Sequence, residues 1–302
     1  MALGLEPAKK KALVNQSAGR SGRHSPLSHQ QRMAFVEYLH AQPLAHFTRP
    51  QLATALRQQT GVTYADHYLP VILRQMGLRY YKPRPVSARR PPQAELALIE
   101  RLKATFDGLQ AMSYDLDRVA FGFADESSPQ LSANTAQLWA LGKADRVVNT
   151  DKQRANTFGF FALQGRDYCQ ALSDSSAESF IALFPQIRAL HADYEAVILL
   201  WDNLPAHKTA AVEVAARRHQ IYLVYNLPYA PDLNPIEGVW KGIKRRISEW
   251  GLIGSIDQLR DLVQVWFGEL AATTSLAKQW MEDILLKALP PKSAISFCKP
   301  FS

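Results

Sequence analysis

Residues 227–246, LPYAPDLNPIEGVWKGIKRR, leave a chain like this few choices. Pro228 and Pro231 forbid regular structure at the start of the stretch. Asp232-Leu233-Asn234 then reads as a turn handing over to a helix. Asn234 suits the N-cap, Pro235 the first helical position, and Glu237 follows at the third. Ile236, Val239, Trp240 and Ile243 recur at helical spacing, with Lys241, Lys244, Arg245 and Arg246 on the other face. A carboxylate is thus held at the mouth of a helix, one turn from a basic cluster. Two readings stay open for this stretch alone. Glu237 is half of a capping arrangement above a solvated face, or it is an acid of a reactive site.

The chain ahead of it supplies companions. Residues 118–126, RVAFGFADE, alternate so that Val119, Phe121, Phe123 and Asp125 share one face. An acid ending an apolar face is out of place unless that face meets a site. Residues 196–203, AVILLWDN, have the unbroken apolar run of a strand buried on both faces and end in Asp202-Asn203. A further buried strand is expected over 221–226, and Glu237 opens the helix after it. In an open α/β sheet, sites form beyond the carboxyl ends of the strands, which brings Asp125, Asp202 and Glu237 to one rim. Either aspartate taken singly serves equally well as a cap or turn former. Three converging carboxylates, however, repel unless they share cations, and hard oxygen ligands suit magnesium or manganese. Two such ions about 4 Å apart form the usual arrangement for in-line phosphoryl transfer. No Ser–His–Asp set, glycine-rich phosphate loop, dinucleotide fingerprint or zinc spacing competes. Cys169 and Cys298 are too few and too far apart for a disulfide framework or a metal cluster, and a reducing interior suits them.

Charge separates the front of the chain from the rest. Of the 302 residues, 1–92 hold 14 Lys and Arg against 3 Asp and Glu, while 93–302 hold 21 against 24. A small basic front on a near-neutral body is the footprint of a polyanion-binding module. Residues 1–27 are basic, aperiodic and expected to be a flexible tail able to track phosphates. Within 28–81 three short helices are expected. The first spans 28–40, with Met33, Phe35, Val36 and Leu39 inward. The second begins at the N-cap Thr48, carries Leu52, Ala55 and Leu56, and ends at Gly61. The third spans 64–76, with Tyr68, Val71 and Ile72 inward, although Pro70 must kink it or start it late. Three helices with a tight turn before the last describe a helix-turn-helix. Its third helix would enter the major groove, with Asp66, His67, Arg74 and Gln75 as candidate contacts. Residues 82–92, KPRPVSARRPP, read as an extended linker unable to pack, and the linker as a whole is set at 82–95. Arg79, Lys82, Arg84, Arg89 and Arg90 are further candidates for DNA along it.

The body, 96–290, is expected to be a mixed α/β sheet flanked by helices. Its elements are a helix over 93–110, short strands around 137–141 and 146–150, a strand over 157–163, helices over 176–191 and 206–219, and a helical stretch over 255–289. Residues 291–302 form a tail. No apolar run of about 18 residues spans a membrane, and the start lacks a signal-peptide core.

The segments WDNLPAHK (201–208) and YAPDLNPIEGVWKGIKRR (229–246), with 34 residues between Asp202 and Glu237, resemble the DDE transposases of the mariner-like superfamily, in particular its bacterial insertion-sequence branch. FADES (123–127) matches the first-acid strand of that family, and Trp139-Ala140-Leu141-Gly142 loosely matches its hairpin. The resemblance implies a ribonuclease H-like catalytic domain behind an all-α helix-turn-helix domain. It implies Asp125, Asp202 and Glu237 as ligands of two Mg2+ or Mn2+ ions. It also implies cutting of double-stranded DNA at the element's terminal inverted repeats and joining of the freed 3′-hydroxyl to a target, usually at TA. Asn203 and His207 would orient ligands or phosphate, Asp232 and Asn234 would shape the turn, and Lys241, Lys244 and Arg245 would hold a strand near the metals. Pairing two element ends calls for a homodimer or larger assembly on DNA, and the resemblance implies a bacterial cytoplasmic setting. Two other functions stay open: a DNA-binding regulator without catalysis, and a related nuclease that cuts without joining.

Overall fold

The computed structural model describes residues 26–43, 46–82, 87–132, 145–272 and 274–290. It divides into two compact units, residues 1–85 and 86–302.

In the first unit α1 (His29–His40), α2 (Arg49–Thr60) and α3 (Leu69–Gln75) enclose a small core of Leu27, Phe35, Leu39, Leu52, Leu56, Leu69, Ile72, Leu73 and Met76. Ser28 and Thr48 begin α1 and α2 with capping boxes closed by Gln31 and Gln51. Gly61 ends α2 with φ +71°, a left-handed turn that suits a residue without Cβ. Pro70 starts α3 late: residues 66–68 form a turn, and the helix begins at Leu69. That shift of register moves Leu69, Ile72 and Leu73 inward and leaves Tyr68 and Val71 exposed, against the expected pattern. Met33 likewise faces outward, because Phe35 and Leu39 fill the space facing α2 and α3.

The second unit is built on a five-stranded sheet in the order β3-β2-β1-β4-β5. Its strands are β1 (Val119–Ser127), β2 (Thr157–Gln164), β3 (Tyr168–Ala171), β4 (Ala196–Trp201) and β5 (Ile221–Tyr225). β2 runs antiparallel to both its neighbours, whereas β1, β4 and β5 are parallel. One face of the sheet is covered by α4 (Ala94–Ala111), by α8 (Ile236–Glu249), by α9 (Ile256–Ala271) and by α10 (residues 278–288), whose middle, Met281–Leu285, is π-helical. The other face is covered by α5 (Ala177–Ile181), α6 (Phe184–Leu190) and α7 (Ala210–Arg218). β1 and β4 are buried on both faces because helices lie above and below them, which is what their unbroken apolar runs require. Gly159 on β2 permits the close packing of this sandwich: a Cβ there would lie 2.5 Å from the Phe267 ring and 2.7 Å from that of Trp240.

Several expected elements take a different form. The helix expected over 176–191 is broken into α5 and α6, since Pro185 lacks an N–H and its ring conflicts with the carbonyl of Ile181. The one expected over 206–219 is a 3-10 turn, Pro205–Lys208, followed by α7, which Thr209 caps by accepting from the Val212 N–H. Residues 146–150 form no strand. The Arg146 guanidinium instead donates to the carbonyls of Ile247, Ser248 and Trp250 at the end of α8, where free carbonyls attract a cation. The expected strand over 137–141 and the Trp139–Gly142 match lie outside the described residues, as do the tail 291–302 and nearly all of 1–27. The linker set at 82–95 does not stay apart. From Ser87 onward it belongs to the second unit, with Ala94 buried at the start of α4 and Arg90 engaged in ion pairs that give the chain a reason to pack.

Candidate active site

Two acids are placed by hydrogen-bonded strands. β1 and β4 pair in parallel register from Val119↔Ala196 to Phe123↔Leu200, and Asp125 and Asp202 each follow that last pair by two residues at the same end of the sheet. Alternation aims Asp125 toward the face covered by α8, following Val119, Phe121 and Phe123. β4 pairs with β5 up to Trp201↔Tyr225, so the chain leaves the sheet beyond Trp201 and Tyr225 at the same rim. The Asn203 side chain donates to the Asn226 carbonyl, tying the two strand exits together.

The third acid arrives on a loop. After β5 the chain turns through Tyr229, a non-glycine residue at φ +58°, and the 3-10 turn Pro231–Leu233 before α8. Asn226 Nδ2 donates to the Ala230 carbonyl at 2.8 Å and Trp280 Nε1 to the Leu233 carbonyl at 2.8 Å. Asn234 was expected to cap the helix. Its side chain instead donates to the Ala124 carbonyl at 3.1 Å, beside Asp125, because a buried amide must find a partner and the strand edge offers one. Its backbone is extended and Pro235 is already helical, so Glu237 sits in the first turn of α8. Ile236, Val239, Trp240, Ile243 and Ile247 bury the inner stripe, and Lys241, Lys244 and Arg245 stay exposed on the outer one.

The acids feel one another. Burial, then the charges of Glu237, Glu126 and Asp202, push the Asp125 carboxyl up to about 8. Burial also raises Glu237, with Lys244 pulling it down and Asp202 pushing it up. A carboxyl in this state is short of positive charge, and the donor set, three hard carboxylates, fits a divalent cation. Among the described residues, no three His, Cys, Asp or Glu side chains converge as ligands on one point. Asp202 is turned to His207, whose Nδ1 lies 2.6 Å from Asp202 Oδ1, and that same oxygen accepts from the Leu204 N–H.

His207 belongs to an arrangement that includes a residue the sequence pattern did not single out. It is fully buried, stacked 3.7 Å from the Trp201 ring and edge-on to Phe180. Its Nε2 lies 3.2 Å from Glu126 Oε2, while Trp201 Nε1 donates to Glu126 Oε1 at 3.0 Å. Burial pulls His207 toward the neutral form, but pairing with Asp202 and Glu126 outweighs it and lifts the imidazole to about 9. Both ring contacts are close charge pairs without hydrogen-bond alignment. Glu126 was legible in principle: the alternation that aims Asp125 to one face of β1 aims its neighbour to the other.

The expected DNA contacts fall in three places. Asp66 and His67 are exposed in the turn before α3, Arg74 and Gln75 are exposed on it, and Gln75 accepts from Arg32 at 3.4 Å. Arg79 and Lys82 are exposed beside Tyr80 and Tyr81, and Arg84 lies outside the described residues. Arg89 is exposed and donates to the Tyr229 hydroxyl at 3.2 Å, whereas Arg90 is mostly covered and bound to Asp232. On α8, Arg245 pairs with Glu249 at 2.7 Å and Arg246 with Glu269.

Residues 120–260 match the DDE superfamily endonuclease family and residues 46–95 the winged helix-turn helix family. Among curated proteins the chain has no match. In fold it is similar to a Mos1 transposase paired-end complex with left transposon end, with a TM-score of 0.56, 17% identity, and coverage of 90% of this chain and 82% of that one. It is similar also to a mariner Mos1 paired-end complex with Mg, with a TM-score of 0.56, 16% identity, and coverage of 98% and 86%. A pre-cleavage Mos1 transpososome gives 0.56, 14%, 91% and 83%. The match to the DDE superfamily endonuclease family, over residues 120–260, spans Asp125, Asp202 and Glu237.

Proposed function

We propose that this chain is a DNA transposase: its helix-turn-helix segment holds the terminal inverted repeats of its own element, and Asp125, Asp202 and Glu237 are the acids at which DNA is cut. The observation that carries this reading is that Asp125 and Asp202 each follow the last β1–β4 pair by two residues, and that burial, then the charges of Glu237, Glu126 and Asp202, raise Asp125 to about 8. The Mos1 structures of similar fold are complexes with a transposon end, with Mg and with Mn, and one is a strand transfer complex, which supports the same reading.

In this reading the three carboxylates hold two Mg2+ or Mn2+ ions. Bound there, divalent cations would supply the positive charge that lowers the pKa of an attacking water and stabilises the leaving oxygen. Asp125 keeps its proton near neutral pH until positive charge reaches the rim. His207 and Asn203 steady the exit of β4 that carries Asp202. Lys241, Lys244 and Arg245, on the outer face of the helix that begins with Glu237, hold a DNA strand by its phosphates. His67, Arg74, Gln75, Arg79, Lys82, Arg84 and Arg89 contribute to holding the element ends. The freed 3′-hydroxyl attacks a target phosphodiester, at TA by the family pattern, its proton leaving and the target strand's 3′-oxygen departing as the new bond forms, and pairing two ends calls for at least two copies of the chain.

The test is to incubate the protein with a labelled duplex bearing the repeat that flanks its gene, with Mg2+, Mn2+ or a chelator. Nicks at the repeat end that need metal and vanish in Asp202→Ala, followed by joining to a TA-containing plasmid, support a transposase. Nicks without joining leave a nuclease. Specific binding with no cut under any metal leaves a DNA-binding regulator.

A further inference from the structure

The loop that delivers Glu237 is held from an unexpected side. Arg90 meets Asp232 as a two-pronged pair, Nε to Oδ1 at 3.2 Å and Nη2 to Oδ2 at 3.0 Å, and the same Nη2 reaches Glu95 at 2.6 Å. The side chains are 13% and 15% exposed for Arg90 and Asp232, so the pair is largely withdrawn from solvent. Next to it, Arg89 donates to the Tyr229 hydroxyl, and its guanidinium lies 5.6 Å from the Tyr229 ring centre. Tyr229 itself sits at φ +58°, a conformation disfavoured for a side-chain-bearing residue that persists only when surroundings enforce it. The two ends of this loop segment, Tyr229 and Asp232, are therefore both gripped by residues 89–90. Those residues stand just past the division between the two units of the chain.

We infer that Arg90 is a positioning residue for Glu237, acting through Asp232, so that the third acid reaches the rim only when residues 89–90 are seated on the loop. The inference rests on the proposed role of Glu237. It replaces a DNA contact by Arg90 with an internal one. Asp232 leads into the 3-10 turn, Asn234 fastens that turn to the carbonyl beside Asp125, and Glu237 follows three residues on. A planar guanidinium gripping both carboxylate oxygens fixes direction as well as distance, which a lysine in its place does not.

The test compares the full-length protein with Arg90→Ala, Arg90→Lys and the double swap Arg90→Glu/Asp232→Arg, in which the new guanidinium would stand between two carboxylates. Three quantities are read: affinity for the terminal-repeat duplex in chelator, Mn2+ binding by electron paramagnetic resonance without DNA, and amide-exchange protection of residues 229–237. Expected for Arg90→Ala is duplex affinity within about twofold of the parent, with Mn2+ affinity and cleavage down about 10–100-fold and protection lost in that segment. Arg90→Lys recovers part of this, and the double swap recovers most. If Arg90→Ala weakens duplex binding in chelator while Mn2+ affinity holds, Arg90 is a DNA contact and the inference fails. It fails equally if all three readouts match the parent. A parent protein that binds no Mn2+ and never cuts overturns the proposed function and this inference with it, whereas a parent that does both beside an unaffected Arg90→Ala overturns this inference alone. Should Arg90→Ala fail to fold, the lysine variant and the swap carry the same comparison.

Discussion

Asp125 and Asp202 are placed by backbone, Glu237 by side chains. The two aspartates inherit their alignment from an unbroken parallel ladder buried on both faces, and moving either needs a change of register that would turn apolar side chains off the core. Glu237 comes after a loop with a left-handed tyrosine, no ladder, and ties made one side chain at a time by Asn226, Trp280, Asn234 and Arg90. A site of this kind has a rigid half and an adjustable half. Changes near the ladder should appear first as lost stability. Changes to the loop ties should appear first as lost activity in a protein that still folds.

The largest effect expected is the removal of the acids themselves. Asp125→Ala, Asp202→Ala and Glu237→Ala should each lower the cleavage rate by about 10³-fold or more while duplex binding is kept; an alanine variant that still cuts would sink the assignment of that residue. Next comes His207→Ala, which removes the contact steadying Asp202 and leaves Glu126 buried beside Trp201 without its imidazole. A fall of about 10–100-fold in cleavage together with a loss of stability of about 1–3 kcal/mol is expected, read by gel assay and thermal melting. This variant tests the rigid half, so a large activity loss with no change in melting would contradict the division drawn above.

Asn234→Ala tests the adjustable half. It removes the donor to the Ala124 carbonyl, and about a tenfold drop in cleavage with a stability change near 1 kcal/mol is expected. A melting change well above that, with cleavage intact, would show that the tie serves the fold and not the delivery of Glu237.

The smallest effect concerns pH. A carboxyl raised to about 8 in the folded chain keeps a proton that the unfolded chain has given up above about 4. The metal-free protein should therefore lose stability as pH rises across that window, the reverse of a carboxylate held low by a salt bridge. Asp125→Asn should stabilise the metal-free protein at pH 8 by about 1–2 kcal/mol and leave it unchanged at pH 4. Melting curves in chelator at both values decide it, and an equal shift at both would remove the titration from the explanation.

What was legible in the chain follows the same division. β1, β4 and the inner stripe of α8 are local patterns, alternation, an apolar run and a helical period, and each stands in the structure where its pattern placed it. β3 carried no such pattern, because its four residues are only half-buried on the edge beside β2. The break between α5 and α6 is legible in Pro185, although the apolar stripe runs on continuously across it. Asn234 looked like a cap from its neighbours in sequence, yet its partner, the Ala124 carbonyl, lies 110 residues away. Arg90 looked like a solvated linker residue for the same reason, with Asp232 being 142 residues distant.

Local sequence was enough to say which residues could be core, that one strand carries Asp125 near its end and another runs into Asp202, and that a basic-faced helix opens with Glu237. Those properties depend on side-chain periodicity over a few residues, where chain connectivity sets the geometry. Which polar groups close on each other depends on the folded chain: His207 on Asp202 and Glu126, Arg90 on Asp232, Asn234 on β1. Such pairs form because a buried donor or charge without a partner is costly. The partner that satisfies it is chosen by what folding brings near, not by what stands beside it in the chain.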